Sequence, residues 1–242
     1  MTFYLIGLGL NENSISQEGL EAVRESDKVY LEYYTVDFPY LVHELEEKLG
    51  KKVAVLNREK VEGEDFVLDA KKKNITLLVY GAPLSATTHY SLILKCIKES
   101  IPHKIIYAGS IFDAVAESGL QQYKFGKVAS MPAWKHNYQP DSFGEIIKEN
   151  IGIGAHTLIL VDIGLDFQDA LRQLKEVLDK KEITLEEDRL IVCSHLGTES
   201  RKILHANFEN LIEQNIKPPY CFIIPSKMHF MESEALKIIS EE

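Results

Sequence analysis

The stretch Thr76-Leu-Leu-Val-Tyr80-Gly81-Ala82-Pro83-Leu84-Ser85-Ala86-Thr87-Thr88-His89 decides how the chain is read. A short apolar run stopped by glycine and proline is a buried strand and its turn, and the spacing that follows predicts a helix from Ala86 to Lys98. The same unit recurs on both sides. Upstream, Thr2 to Gly7 reads as a strand, Leu8 to Ser14 as a turn-rich loop, Gln17 to Ser26 as a helix and Lys28 to Glu32 as a second strand. Phe38, Leu41, Leu45 and Leu49 fall three and four apart, on one face of a helix ending at Gly50, and Lys52 to Leu56 follows as a strand. Downstream, Lys104 to Tyr107 is a strand and Ala108-Gly109 turns into a helix at Ser110. Strands alternating with helices of about ten residues predict a mostly parallel α/β sheet.

From about Gly119 the spacing changes. Lys127 to Met131, His156 to Ile163, Arg189 to His195 and Pro219 to Pro225 read as strands. Helices are predicted near Asp141 to Asn150, Asp166 to Lys180, Ile203 to Gln214 and Met231 to Ser240. Met131 to Ser142, with the only Trp and no periodicity, reads as a loop. The boundary falls between 110 and 120, giving an N-terminal α/β domain, 1–114, and a C-terminal α/β domain, 115–242, with a cleft between them.

The chain has 242 residues, enough for one large domain or two small ones at roughly 100 to 200 residues each. It is 45% hydrophobic and 26% charged, with 37 acidic against 27 basic side chains and a net charge of −10. The longest apolar runs, Thr157 to Ile163 and Tyr220 to Pro225, are far shorter than the roughly 20 residues of a membrane-spanning helix. No basic stretch precedes Thr2 and no cleavage site follows, so a cytoplasmic protein is expected. Cys96, Cys193 and Cys221 are widely spaced in apolar runs and read as buried thiols. No window carries the Lys/Arg stripe of a nucleic-acid binder, so neither duplex DNA nor long RNA is an expected partner.

Several segments have the residues for chemistry. Gly7-Leu8-Gly9-Leu10 follows the first strand, as in nucleotide-binding turns, but lacks the third glycine of the dinucleotide fingerprint, and a plain tight turn fits equally. The 81–89 segment sits where ligands of open α/β sheets bind; Thr87 or Thr88 can cap the helix or hold a ligand carboxylate, and the spacing does not choose. His89 is a candidate base or a satisfied helix histidine. Ala108-Gly109-Ser110-Ile111 is a further turn, and Gly119-Leu120-Gln121-Gln122-Tyr123-Lys124-Phe125-Gly126 is either a linker or the mouth of the cleft. Cys193 and His195, two apart in a predicted strand, share a face but have no further ligands near, so no metal site is expected.

Taken together, YLIGLGL at 4–10, GAPLSATTH at 81–89, GSI at 109–111, GLQQYKFG at 119–126, HTLILVDI at 156–163 and PPYCFIIPSKMHFMESEAL at 218–236 resemble the diphthine synthases. That family lies among the tetrapyrrole methylase-like, S-adenosylmethionine-dependent methyltransferases. The resemblance runs in order from Thr2 to about Leu236; ATTH and the YKFG segment set it apart from the porphyrin-ring methylases. It implies an α/β, two-domain tetrapyrrole methylase-like fold with the cofactor cleft between domains, usually as a homodimer. It also implies S-adenosylmethionine as methyl donor, no metal, and a protein substrate. That substrate is a modified histidine of translation elongation factor two, whose amino group is methylated repeatedly toward diphthine in diphthamide biosynthesis. The implied cofactor contacts are Leu10, Ala82, Ser85, Ser110, Ile111, Val161, Leu196 and Tyr220. His89, Tyr123 and Tyr220 are the candidates to accept the amine's proton, with the catalytic base open; Gln121 and Tyr123 are expected to face the protein substrate.

The chain departs from the family pattern at named positions. Ala82 stands where an Asp is usual, His195-Leu196-Gly197 where Arg-Ala-Gly is usual, Tyr220 in place of His and Gly164 in place of Lys, and the stretch from Gly164 to Glu187 is short. A carboxylate bond to a charged ligand group is worth about 1.5 to 3 kcal/mol, so Ala82 implies weaker cofactor binding. The contrasting reading is a non-catalytic relative that binds without transferring methyl.

Overall fold

The computed structural model describes residues 1–186 and 189–239. The expected end of the last helix at Ser240 and the Glu187 end of the short 164–187 stretch lie outside them. Contacts divide the chain into two units, Met1–Phe112 and Asp113–Glu242.

In the first unit the strands are β1 (Phe3–Gly7), β2 (Lys28–Glu32), β3 (Ala54–Leu56), β4 (Ile75–Val79) and β5 (His103–Ile106). The helices are α1 (Gln17–Glu25), α2 (Val42–Leu49), α3 (Arg58–Glu62), α4 (Tyr90–Lys98) and α5 (Ile111–Ala114), the last spanning the division. The sheet order is β3-β2-β4-β1-β5, with every pairing parallel. Both faces are covered, which is why its strands read as near-continuous apolar runs. Phe3, Leu5 and Leu77 pack with Leu92 and Cys96 of α4 on one face. Ile6, Leu31 and Leu78 pack with Val23 of α1 and Leu45 of α2 on the other.

Two expectations for this unit are corrected. Leu41 is the exposed residue before α2, and Phe38 lies ahead of it, its ring 5.1 Å from Tyr80 and 5.3 Å from Tyr40. The 3.6-residue pattern therefore continued by chance past the helix start. The helix after β4 begins at Tyr90 rather than Ala86, because Ala86 has φ 55°, a left-handed backbone that a helix cannot contain.

In the second unit the strands are β6 (Ala129–Met131), β7 (Thr157–Val161), β8 (Arg189–Ser194), β9 (Lys202–Asn207) and β10 (Tyr220–Ile224). The helices are α6 (Ser142–Gly152), α7 (Phe167–Lys180), α8 (Phe208–Leu211) and α9 (Phe230–Ile239). The order is β6-β7-β10-β8-β9; β6 runs parallel to β7, and the other described pairings are antiparallel. The mostly parallel sheet thus belongs to the first unit. Phe143 and Ile147 of α6, Phe167 and Leu174 of α7, and Phe222 of β10 share one core.

The helix expected over Ile203 to Gln214 is instead β9 followed by α8. Leu204, Phe208 and Leu211 have helical spacing, but pairing with β8 from Arg189↔Asn207 to Ser194↔Lys202 overrides it. Asn207 closes the strand and starts the helix, its side chain accepting from the Asn210 amide at 2.9 Å. The three cysteines are free and buried. Among the described residues no helix is long and apolar enough to cross a membrane.

Candidate active site

α1 and α4 leave β1 and β4 on opposite faces of the first sheet, so these neighbouring strands form a topological switch point, where open α/β sheets bind ligands. The loops at this point interlock. The Leu8 amide donates to Val79 O at 2.8 Å, and Gly9 and Gly81 exchange amide bonds of 3.2 and 2.9 Å. A Cβ on Gly7 would lie 2.5 Å from Gly81 O and 3.0 Å from Ala108 Cβ, so only glycine lets three loops meet there. Gly81, at φ 69°, approaches the third loop, where its Cβ would stand 3.8 Å from Ser110 Cα. The Tyr80 hydroxyl donates to Leu10 O at 3.0 Å. Leu10, Ala82, Ser85, Ser110 and Ile111 are therefore carried on one interlocked set of strand-end loops.

These loops fit an adenosine-type cofactor. Their contact surface is peptide and small side chain, and a Cβ at Gly109 would meet nothing within 4 Å, so a flat ligand can approach the backbone. Within 81–89 the threonines are not the helix caps. Thr87 Oγ1 donates to Pro83 O at 3.1 Å, and His89, the N-cap residue, makes no side-chain cap bond. His89 Nδ1 lies 3.3 Å from Pro83 O. Since a carbonyl can only accept, Nδ1 carries the proton and Nε2 is the bare nitrogen, buried without a partner among the described residues. Burial lowers the His89 pKa against the opposing charge of Glu32, in keeping with a neutral ring.

Glu32 itself went unread in the sequence. It ends β2 fully buried, accepting from the Tyr34 and Thr35 amides at 2.9 Å each and from Thr35 Oγ1 at 2.8 Å. A carboxylate closing the apolar run Val29-Tyr30-Leu31 was the available signal. Burial, with Glu32 and Glu62 nearby, pushes Tyr34 up to about 12.

In the second unit, register brings the end of β7 at Val161 and the start of β10 at Tyr220 to one end of the sheet, with Leu196 two residues beyond the end of β8: Tyr220 pairs with Ser194, and Cys221 with Leu160. The Tyr220 hydroxyl donates to Leu165 O at 2.8 Å, and its ring meets Phe167 edge-on at 5.5 Å. Tyr220→Phe is expected to cost about 0.5–1.5 kcal/mol, the net worth of one such bond, read by denaturant melts. His195 has left the strand. Its φ of 52° turns the ring to Ser200 Oγ at 2.9 Å and Pro218 O at 2.6 Å, so it does not share the face of Cys193. Among the described residues no cluster of three or more His, Cys, Asp or Glu side chains is placed to hold a metal.

Tyr123 is not at that end of the sheet. Phe125 bridges to His156, just before β7, whereas Val161 ends β7 five residues on, roughly 17 Å at about 3.3 Å per residue. Beneath Tyr123 lies a polar cluster that sequence reasoning missed. Glu232, fully buried, accepts from Lys124 Nζ, from the Gln121 amide at 2.8 Å, from the His229 amide at 2.6 Å and from His156 Nε2 at 3.1 Å. Burial alone would raise its pKa, but the Lys124 ammonium, the two amides and His156 together hold it down, to about 2. His156 Nδ1 accepts from the Ser226 amide at 2.9 Å, which fixes a neutral ring with its proton on Nε2, and burial depresses its pKa. Asn150 bonds both Lys127 N and Lys127 O, at 3.0 and 2.8 Å, and a Cβ on Gly126 would fall 2.2 Å from its Oδ1.

The family model "Tetrapyrrole (Corrin/Porphyrin) Methylases" matches residues 2–212, which places these two α/β units and their switch-point glycine turns in the tetrapyrrole methylase class. Diphthine synthase of Methanocaldococcus jannaschii is 40% identical over 98% of both chains. Diphthine methyl ester synthase of Schizosaccharomyces pombe is 35% identical over 97% of this chain and 93% of its own. A crystal structure of diphthine synthase superposes with a TM-score of 0.89 at 32% identity, over 100% of this chain and 96% of that one. The chain belongs to the diphthine synthase family: it is an S-adenosylmethionine-dependent methyltransferase of diphthamide biosynthesis. These relatives lend no support to the binding-only reading.

Proposed function

We propose that the chain methylates, repeatedly, the amino group of the 3-amino-3-carboxypropyl histidine of translation elongation factor two, giving diphthine. The observation that carries this is the likeness to diphthine synthases over nearly the whole chain, and the interlock of Gly7, Gly9 and Gly81 at the β1/β4 switch point supports the cofactor crevice. The proposed cofactor contacts are Leu10, Ala82, Ser85, Ser110 and Ile111 from the first unit and Val161, Leu196 and Tyr220 from the second. S-adenosylmethionine supplies the methyl group from a sulfonium, which departs as a neutral thioether.

The chain's own tasks are alignment of the amine with the methyl group and shielding of the site from bulk water. The small residues of the 81–82 and 108–110 turns leave peptide groups open for alignment. Of the three candidates we favour Tyr220, at the end of β10 that faces the end of β7, as the group that orients the amine; its own hydroxyl proton is held by Leu165 O, so the amine's proton passes to water. His89, buried under Pro83, holds the second loop in shape instead. Ala82→Asp, restoring a carboxylate at the rim, is expected to tighten S-adenosylmethionine binding tenfold to hundredfold by calorimetry, the effect of about 1.5–3 kcal/mol.

We place the enzyme in the cytoplasm as a homodimer acting on a protein rather than on free nucleic acid or a membrane. The acid excess without a basic stripe supports that partner class. A second product, the methyl ester, is favoured by the name of the Schizosaccharomyces pombe relative. Peptide mass before and after mild alkali separates the two. N-methyl groups survive, so an unchanged mass supports diphthine, and loss of one methyl supports the ester.

A further inference from the structure

Part of the 119–126 segment is tied inward. The Gln121 amide and Lys124 Nζ meet Glu232, Lys124 Nζ also meets Lys227 O at 2.7 Å, and Phe125 packs edge-on against His156 at 5.5 Å. Gly119, at φ 81°, sits where a Cβ would lie 2.4 Å from Ala235 Cβ, which binds the segment to α9. Gln122 and Tyr123 are exposed on the short 3-10 turn Gln122–Lys124, and Tyr123, 82% exposed, is the aromatic among them. Exposed Phe230 and Met231 begin the helix that carries Glu232.

A rigid turn with its backbone tied to a buried carboxylate holds one aromatic outward at little entropic cost, the condition under which an aromatic side chain anchors an interface. We infer that Glu232, through Lys124 and the Gln121 amide, is a positioning residue that presents Tyr123 as a remote anchor for the protein substrate. The inference rests on the reading that the substrate is elongation factor two. The roughly 17 Å between His156 and the end of β7 at Val161 suits such a partner: a standard interface of about 800 Å² per side is roughly 30 Å across, so one footprint covers both. Binding at a distance from the reacting atoms changes KM for the protein and leaves the chemical step alone.

The test is steady-state kinetics of Tyr123→Ala, Glu232→Gln and Lys124→Met with elongation factor two bearing the unmethylated 3-amino-3-carboxypropyl histidine, beside calorimetry with S-adenosylmethionine. Each variant is expected to raise KM for the elongation factor about tenfold, with kcat and cofactor affinity near wild type. Lys124→Met carries the test if Glu232→Gln does not fold, because its head group reaches the rim. If Tyr123→Ala raises KM while the folded Glu232 and Lys124 variants do not, the positioning role is overturned and the protein-substrate reading stands. Unchanged KM in Tyr123→Ala removes the anchor itself, and a halved mass by light scattering in that variant, with KM unchanged, assigns the surface to a second copy. If wild type transfers no methyl to the elongation factor, the substrate reading fails, and the inference with it.

Discussion

Gly7→Val is expected to abolish S-adenosylmethionine binding. The first added carbon would stand 2.5 Å from Gly81 O, 2.9 Å from Pro83 Cδ and 3.0 Å from Ala108 Cβ. Gly81 O cannot retreat without breaking the bond it accepts from Gly9, and that pair sets the spacing of the first and second loops. Overpacking at one buried site costs about 1–3 kcal/mol, so the sheet should persist by circular dichroism with a lowered Tm. Calorimetry should lose the cofactor isotherm, a weakening of about a hundredfold or more, because misplacement by about 1 Å is enough to defeat an aligned site. Binding within about twofold of wild type would remove the three-loop crevice from the account.

Glu232→Ala is expected to be the most destabilising single change in the second unit. Removing a fully buried carboxylate leaves His156 and the Gln121 and His229 amides without their acceptor and Lys124 with Lys227 O in place of its charged partner, a loss of about 3–5 kcal/mol. At about 2–4 °C per kcal/mol for a chain of this size, Tm should fall by roughly 10 °C. The same group sets an acid limit. Its folded pKa, about 2, lies below the ordinary 4.5, so the unfolded chain binds the proton more readily. The stability it contributes is whole above about pH 4.5 and is lost as pH falls toward 2, on the order of 3 kcal/mol across that window. His156, also depressed, loses stability in the same direction at higher pH, below its ordinary 6.5. Denaturant melts across this range should show the slope below pH 4.5 in wild type and a much flatter one in Glu232→Gln. Equal slopes would remove the buried carboxylate as the cause.

Most of the first unit was legible in the sequence because a parallel sheet covered on both faces writes its strands as apolar runs and its turns as glycines. Thr76 to Tyr80 and Gly81 needed no tertiary information. The left-handed Ala86 did, since nothing in Ala-Thr-Thr-His announces a positive φ, and so the helix start was placed four residues early. In the second unit β9 was hidden because Leu204, Phe208 and Leu211 carry helical spacing and only pairing with β8 decides between the two. The candidate cofactor residues were readable as strand-end turns and through family resemblance. Glu32, Asn150, His156 and Glu232 were not, because burial and hydrogen bonds between residues as far apart as Gln121 and Glu232 leave no local pattern. Within the YKFG segment, Lys124 and Phe125 meet the buried cluster through Glu232 and His156 while Tyr123 stands outside it.

The central claim is tested most directly by the mass of the elongation factor's histidine-bearing peptide after incubation with the enzyme and S-adenosylmethionine. The account predicts additions in whole methyl units on the 3-amino-3-carboxypropyl group, absent when Gly7→Val replaces wild type. A folded wild-type protein that binds S-adenosylmethionine by calorimetry and adds no methyl to that peptide would contradict it.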